Sequence, residues 1–334
     1  MLYRAHDTQW RMPTTLLMLP PQSAKTRAWA TRLAQAVPAL SIVVAETETD
    51  AARVIDDADA AFGTMPDALL AKATRLRWLQ APQAAPPAGY YTPPLIAHPV
   101  IVTNFREIYN DLIGAHIMAF VLAFARGFHH YFPRQVRREW RPEQGEASGV
   151  VHLPDATALI VGVGGIGSEA ARLMAAFGMH VMGVDARRRD APAGVLKLDG
   201  PDALDSLLPH ADFVVLTVPH TPATEGFMHR ARFQRMKRSA FFINIGRGRT
   251  TRLDDLVAAL RAGEIAGAGL DVFEQEPLPT DHPLWTMPGV LITPHTAGRG
   301  PYLDERRFEI ILDNARRFLA GQPLRNVVDK VNWF

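Results

Sequence analysis

The chain has 334 residues, 48% hydrophobic and 21% charged, with 24 Gly and 26 Pro; this suits a globular protein of about two domains and excludes disordered, collagen-like and coiled-coil architectures. Lys and Arg number 36 against 34 Asp and Glu, a net charge of +2, too balanced for a nucleic-acid binder. There is no cysteine, which rules out disulfides, thiolate catalysis and Cys-ligated metal centres and fits a cytoplasmic protein; no metal site is expected.

Arg4, His6 and Asp7 precede the short Leu16–Leu19 apolar run, the wrong order for a signal peptide. Thr15–Leu19 reads as a buried strand. Trp29, Leu33, Ala36 and Val37 recur with helical spacing up to Pro38. Ser41–Ala45 is strand-like, Ala51–Asp57 helical, Ala60–Phe62 a strand, and Pro66 opens a helix at its first position. Leu76–Leu79 and Val100–Val102 are further strands. Between Gln80 and Pro99 six prolines predict a stiff loop with no helix. Asn110–Gly127 reads as one long helix, apolar nearly all round and therefore buried, within the chain or against a second subunit. Its uncharged stretch, Leu112–Ala125, is 14 residues, short of the ~20 that cross a bilayer. Arg134, Arg137, Arg138 and Arg141 then read as a solvated helix end. No membrane partner is expected.

A second βα series starts at Thr157. Strand Ala158–Val163 runs into helix Ile166–Phe177, with Ile166, Ala170, Leu173, Met174 and Phe177 on its core face and Gly178 at its end. Strands follow at Val181–Val184, Phe213–Val218, Phe241–Ile245, Gly269–Val272 and Leu291–Thr293. Helix Leu253–Ala262 carries a capping-box pattern at Thr251 and Asp254. A last amphipathic helix holds Phe308, Ile311, Leu312, Ala315 and Phe318. Repeated βα units predict an α/β fold of two doubly wound parallel sheets.

The sharpest motif is Gly162-Val163-Gly164-Gly165-Ile166-Gly167, which leaves a strand, opens a helix and is followed by Asp185, 18 residues beyond Gly167. Gly162 permits a tight turn, Gly164 lets a pyrophosphate approach the backbone, and Gly167 allows close helix–strand packing. The helix start supplies N–H groups and partial positive charge. Asp185 suits the ribose hydroxyls of NAD, whereas Arg187, Arg188 and Arg189 leave NADP open; at least two of these arginines read as solvent-exposed.

Three further segments fall at later strand ends, where open α/β sheets place their sites. They are Asn244-Ile245-Gly246-Arg247-Gly248, Leu270-Asp271-Val272-Phe273-Glu274-Gln275-Glu276-Pro277 and Thr293-Pro294-His295-Thr296-Ala297-Gly298. With the glycine motif, in this order and spacing, the chain resembles the D-isomer-specific 2-hydroxyacid dehydrogenase family, most strongly over Ala156–Gly298. The resemblance implies that Arg247 grips the carboxylate and carbonyl of a 2-keto acid, for which a forked guanidinium is suited. It implies that His295 gives the proton to the alkoxide left by hydride transfer and that Glu276 partners this histidine. Glu274 is read as exposed. Asp271 matches a residue near the nicotinamide carboxamide, with the capping of a strand-end turn as its other reading. Val218, Pro219, Thr224 and Ile245 match positions along the cofactor. Ala84 and Ala85 match a loop whose backbone N–H groups bind the substrate carboxylate, although Pro86 and Pro87 depart from the usual pattern, as do Ala115 and Arg252.

The implied architecture is a flavodoxin-like substrate domain, residues 1–105 and 300–334, and a Rossmann domain binding NAD, or NADP, over residues 106–299, with the active site in the cleft between them. The implied activity is hydride transfer between NAD(P)H and a small 2-keto acid, as in glyoxylate/hydroxypyruvate reductases. A homodimer through the 110–127 helix and Rossmann domain is expected. A dinucleotide-responsive corepressor-like protein and a formate- or phosphite-type dehydrogenase are the rival readings.

Overall fold

The computed structural model describes residues 14–84, 89–142 and 149–332. The chain divides into two units, one formed by Met1–Ile108 with Tyr302–Phe334 and the other by Tyr109–Pro301.

The first unit holds a five-stranded parallel sheet of β1 (Thr14–Met18), β2 (Leu40–Val44), β3 (Ala60–Phe62), β4 (Trp78–Gln80) and β5 (Ile101–Thr103), ordered β2-β1-β3-β4-β5. Such a sheet must be covered on both faces, and β1, β3, β4 and β5 are accordingly mostly buried, while β2, at the edge, is buried only at Leu40. Helix Ala24–Ala36, capped by Ser23, buries Trp29, Ala30 and Leu33. The C-terminal helix Leu303–Leu319 buries Phe308, Ile311, Ala315 and Phe318, and Phe318 packs 5.5 Å from Trp78. After this helix the backbone N–H of Val328 bonds to Val102, and the Asn326 amide donates to the carbonyls of Asn104 and Arg106. Asn314, fully buried, accepts from the Arg325 N–H and donates toward Gln80.

Local chemistry corrects the expectations here in three places. The proline-rich stretch does contain a helix, Pro93–Ala97: Thr92 caps it, and its prolines occupy the first turn, where a missing N–H costs nothing. Pro66 is an extended N-cap rather than the first helical residue. The segment 51–57 is split into helix Glu48–Ala52, begun by a Thr47–Asp50 capping box, and a separate turn at Ile55–Asp57.

The second unit holds seven parallel strands: β6 (Thr157–Val161), β7 (His180–Val184), β8 (Lys197–Asp199), β9 (Phe213–Leu216), β10 (Phe241–Asn244), β11 (Gly267–Leu270) and β12 (Val290–Ile292). Their order, β12-β11-β10-β9-β6-β7-β8, reverses direction of growth between β6 and β9, the position where open sheets of this type bind ligands. Strand β8 has no clear sequence signal, with only Leu198 apolar in it.

Helix Asn110–Ala125 buries Ile117, Met118, Phe120, Val121 and Phe124 within its own unit, with Phe124 stacked 4.5 Å from Phe241 of β10. It ends earlier than expected because Gly127 turns left-handed (φ 70°) and starts a second helix, Phe128–Val136. Each is too short to cross a membrane alone, the pair is bent by 77°, and no single described helix is long and apolar enough to do so. The arginine cluster beyond is largely exposed. Helix Gly165–Ala176 buries Ala170 and Met174 as expected, but Phe177 is 47% exposed because it follows the last helical turn. The capping box at Thr251 does not form. Thr251 instead accepts a hydrogen bond from Asn244, and the first N–H of helix Leu253–Arg261 is taken by the exposed Glu274 at 3.1 Å.

Candidate active site

Every strand-end motif singled out in the second unit lies at the carboxyl edge of its sheet. Beside the direction switch, β6 is followed by Gly162 (φ 96°), a backbone shape that a side chain would strain. A Cβ on Gly162 would also stand 2.9 Å from Val218, which follows β9, and one on Gly167 would stand 2.1 Å from the Gly162 carbonyl. The turn is therefore packed against its neighbours on one side. On the other side it is open: a Cβ on Gly164 would meet nothing within 4 Å, and no side chain caps the helix that starts at Gly165. The uncapped N–H groups at this helix start and the vacant face suit a dinucleotide pyrophosphate.

Asp185 stands just past β7. One carboxylate oxygen accepts from the Arg187 and Arg188 N–H groups and the other from Val163 N–H, each at 2.8 Å. Burial pushes its pKa up, but these amides and the Arg187 charge more than offset that and hold it below the usual value. With about four lone-pair positions on a carboxylate, three bonds leave room for a ribose hydroxyl. Arg188 folds back over the turn, donating to Ser168 Oγ at 2.9 Å and to the Val163 carbonyl, while Arg187 and Arg189 are exposed. Val218 and Thr224 are half-buried and Pro219 exposed; the Thr224 hydroxyl donates to the Pro219 carbonyl at 2.6 Å and so braces the loop after β9. Ile245 is buried beyond β10.

Arg247 follows β10 on a loop organised by Asn244. That buried amide accepts from Gly246 N–H and donates to the Arg247 carbonyl and Thr251. The loop presses on its neighbour: a Cβ on Gly248 would stand 1.8 Å from the Phe273 carbonyl. The Arg247 guanidinium is half-buried and donates to the Gly246 carbonyl at 2.6 Å. Burial lowers its pKa and the charge of Glu276 raises it; an arginine begins so far above neutrality that it stays cationic. Among the described residues, no carboxylate lies within ion-pair distance of it.

Glu276 accepts from the Phe273 N–H at 2.9 Å through one oxygen and meets Nδ1 of His295 at 2.6 Å through the other. That contact assigns the Nδ1 proton to the carboxylate and leaves Nε2 for a reacting group, with the imidazole about half exposed. His295 has a left-handed backbone (φ 51°), costly for a side chain other than glycine. It is held there by its N–H bond to the Asp271 carbonyl at 2.9 Å, while the next two N–H groups, Thr296 and Ala297, donate to the Asp271 carboxylate at 2.8 and 3.0 Å. Asp271, 1% exposed, thus has the turn-capping arrangement.

The structure gathers Arg247, Glu276 and His295, and aligns the glycine turn, Asp185, Val218 and Ile245 along the same sheet edge. Ala84, in the first unit, is half-buried, and its carbonyl accepts from Asn104; Ala85, Pro86 and Pro87 lie outside the described residues. Sequence reasoning gave no role to His116, placed Asn244 and Thr293 in its motifs without a role, and read Arg188 only as a possible partner of a 2′-phosphate or as solvent-exposed rather than as folded back over the turn. Only Asn244 left a signal, a polar residue closing an otherwise apolar buried strand.

Residues 118–297 match the family model described as the NAD binding domain of D-isomer specific 2-hydroxyacid dehydrogenases. Glyoxylate/hydroxypyruvate reductase B of Citrobacter koseri is 36% identical over 239 residues, 70% of this chain and 72% of that protein. A D-isomer specific 2-hydroxyacid dehydrogenase from Xanthobacter autotrophicus, solved with NADPH and MES, aligns with a TM-score of 0.81 at 28% identity, over 96% of this chain and 100% of that one. The NADPH-dependent glyoxylate/hydroxypyruvate reductase of Sinorhizobium meliloti, solved with NADP and sulfate, gives 0.78 at 29% identity, over 96% and 100%. The chain belongs to the D-isomer specific 2-hydroxyacid dehydrogenase family, NAD(P)-binding oxidoreductases, and its second unit carries the family's NAD-binding domain.

Proposed function

We propose that the chain reduces a small 2-keto acid to the D-2-hydroxy acid at the expense of NADH or NADPH. One observation carries this reading: an imidazole bonded through Nδ1 to Glu276 at 2.6 Å beside the half-buried, cationic Arg247. Bound NAD(P)H supplies a hydride, which reduces the carbonyl carbon while the nicotinamide is oxidised. Arg247 holds the keto acid by its carboxylate and polarises the carbonyl oxygen. His295 delivers its Nε2 proton to that oxygen as the carbon–hydrogen bond forms, and Glu276, bonded to Nδ1, fixes the ring so that Nε2 faces the substrate. The glycine turn and Asp185 hold the pyrophosphate and adenosine ribose, and the arginines after Asp185 accommodate a 2′-phosphate. Asp271 shapes the nicotinamide end through the turn it caps. Val218, Pro219, Thr224 and Ile245 wall the cofactor.

The first unit serves as substrate domain in this reading, with the Ala84 and Ala85 amides as carboxylate donors, and the protein works as a homodimer. The relatives named as glyoxylate/hydroxypyruvate reductases make those two acids the leading substrates. Oxidation of NADH and NADPH followed at 340 nm with glyoxylate, hydroxypyruvate, pyruvate and phenylpyruvate tests the reading. At least one 2-keto acid is turned over, and Arg247→Ala lowers kcat/KM for it about 10²-fold; an Arg247→Ala variant as active as the parent overturns it.

A further inference from the structure

The histidine that gives the proton is held by a turn, and the turn is held by a second histidine that touches none of the reacting groups named above. His116, in the second turn of helix Asn110–Ala125, places Nε2 2.9 Å from the Thr293 hydroxyl. That hydroxyl donates to Asp271 Oδ1 at 2.6 Å, and Asp271 in turn holds the N–H groups of Thr296 and Ala297 on either oxygen. An ionised carboxylate can only accept, and a threonine hydroxyl has one proton to give. The Thr293 proton is therefore committed to Asp271, and the bond from His116 must carry its own proton on Nε2.

We infer that His116 is a positioning residue: its Nε2–H orients Thr293 toward Asp271 and so fixes the strained turn that presents His295. Three features support the assignment. The imidazole is about one-fifth exposed, packs edge-on against Phe120 at 5.0 Å, and lies 3.9 Å from Asp271 Oδ1. Burial pushes its pKa down, with Asp271 opposing, so near neutral pH it is the single-proton donor that the chain of bonds requires. The same helix also reaches the cofactor turn, since a Cβ on Gly165 would stand 2.5 Å from the Asn110 amide. One rigid helix thus braces both the dinucleotide turn and the His295 turn.

The inference rests on the proposed role of His295, and the experiment separates the two. His116→Phe keeps the ring against Phe120 and deletes the donor; His116→Gln restores an amide N–H. With the best 2-keto acid and saturating NAD(P)H, His116→Phe is expected to lower kcat about fivefold, the effect of one lost hydrogen bond, with KM unchanged. His116→Gln recovers most of the loss, and the double variant with Thr293→Val is no slower than Thr293→Val alone. In 15N-labelled protein His116 reads as the Nε2–H form, and the His295 imidazole signals shift in His116→Phe and return in His116→Gln. Wild-type kcat in His116→Phe, no rescue by Gln, or an Nδ1–H signal at His116 each overturns the inference. A wild type that reduces no 2-keto acid overturns the function instead, and the NMR arm still decides the role of His116.

Discussion

The glycine turn at 162–167 and the His295 turn at 293–297 stand on the same sheet edge, yet they are built largely by different means. The first owes its close packing to missing side chains, with one tie from the Asp185 carboxylate to Val163 N–H, and the open face at Gly164 is left with uncapped N–H groups. The second owes its shape to carboxylates: Asp271 and Glu276 reach across to N–H groups and to the imidazole. A turn made of glycine leaves an open backbone face, while a turn hung from carboxylates holds one imidazole in a single pose. The contrast teaches that an open backbone face and a side chain fixed in one pose need different kinds of rigidity.

Substitutions break the comparison in graded steps. His295→Ala is expected to lower kcat by about 10³, the usual worth of a positioned acid, while NAD(P)H affinity measured by fluorescence quenching stays as in the parent. Arg247→Ala should lower kcat/KM for the keto acid about 10²-fold by removing a half-buried cation, again sparing the cofactor. Gly167→Ala tests the other turn: its Cβ collides with the Gly162 carbonyl, so NAD(P)H binding weakens by about tenfold or more and thermal stability drops. Glu276→Gln keeps the shape but removes the charge beside His295 and should lower kcat about tenfold with little effect on cofactor binding.

The smallest effect sharpens the contrast from outside both turns. His129, 8% exposed, has its pKa pushed down to about 4 by burial and by neighbouring His130. The unfolded chain takes up that proton near the ordinary value of 6.5, so stability is lost as pH falls from about 6.5 toward 4, by at most about 3.5 kcal/mol at ~1.4 kcal/mol per unit. Urea titrations at pH 7 and pH 4.5 should show that loss reduced in His129→Phe and unchanged in Glu276→Gln.

What could be read in the sequence follows the same divide. Glycine has one dominant reason to recur before a helix, so Gly162, Gly164 and Gly167 announced their turn, and Arg247, Glu276 and His295 were marked by family spacing. The supporting polar residues were silent. A threonine beside a strand, such as Thr293, looks like any β-branched residue, and its bond to His116 spans 177 positions. Proline misled for a related reason: Pro93 breaks helices in their interior and starts them at their first turn, and only Thr92 as a cap separates the two cases. The Thr251–Asp254 pattern misled because buried Asn244 claimed the threonine first.

The first unit is stitched from both ends of the chain: Asn326 and Val328 bond to residues 102–106, and Phe318 lies on Trp78. During vectorial synthesis those partners leave the ribosome more than two hundred residues apart. The dinucleotide unit, continuous in the chain, can be finished while the amino-terminal sheet still lacks its last helix. The nascent protein can therefore pack its seven-stranded unit before its other half closes, and a stop codon a few dozen residues early removes the last helix and the segment after it that complete the first unit's core.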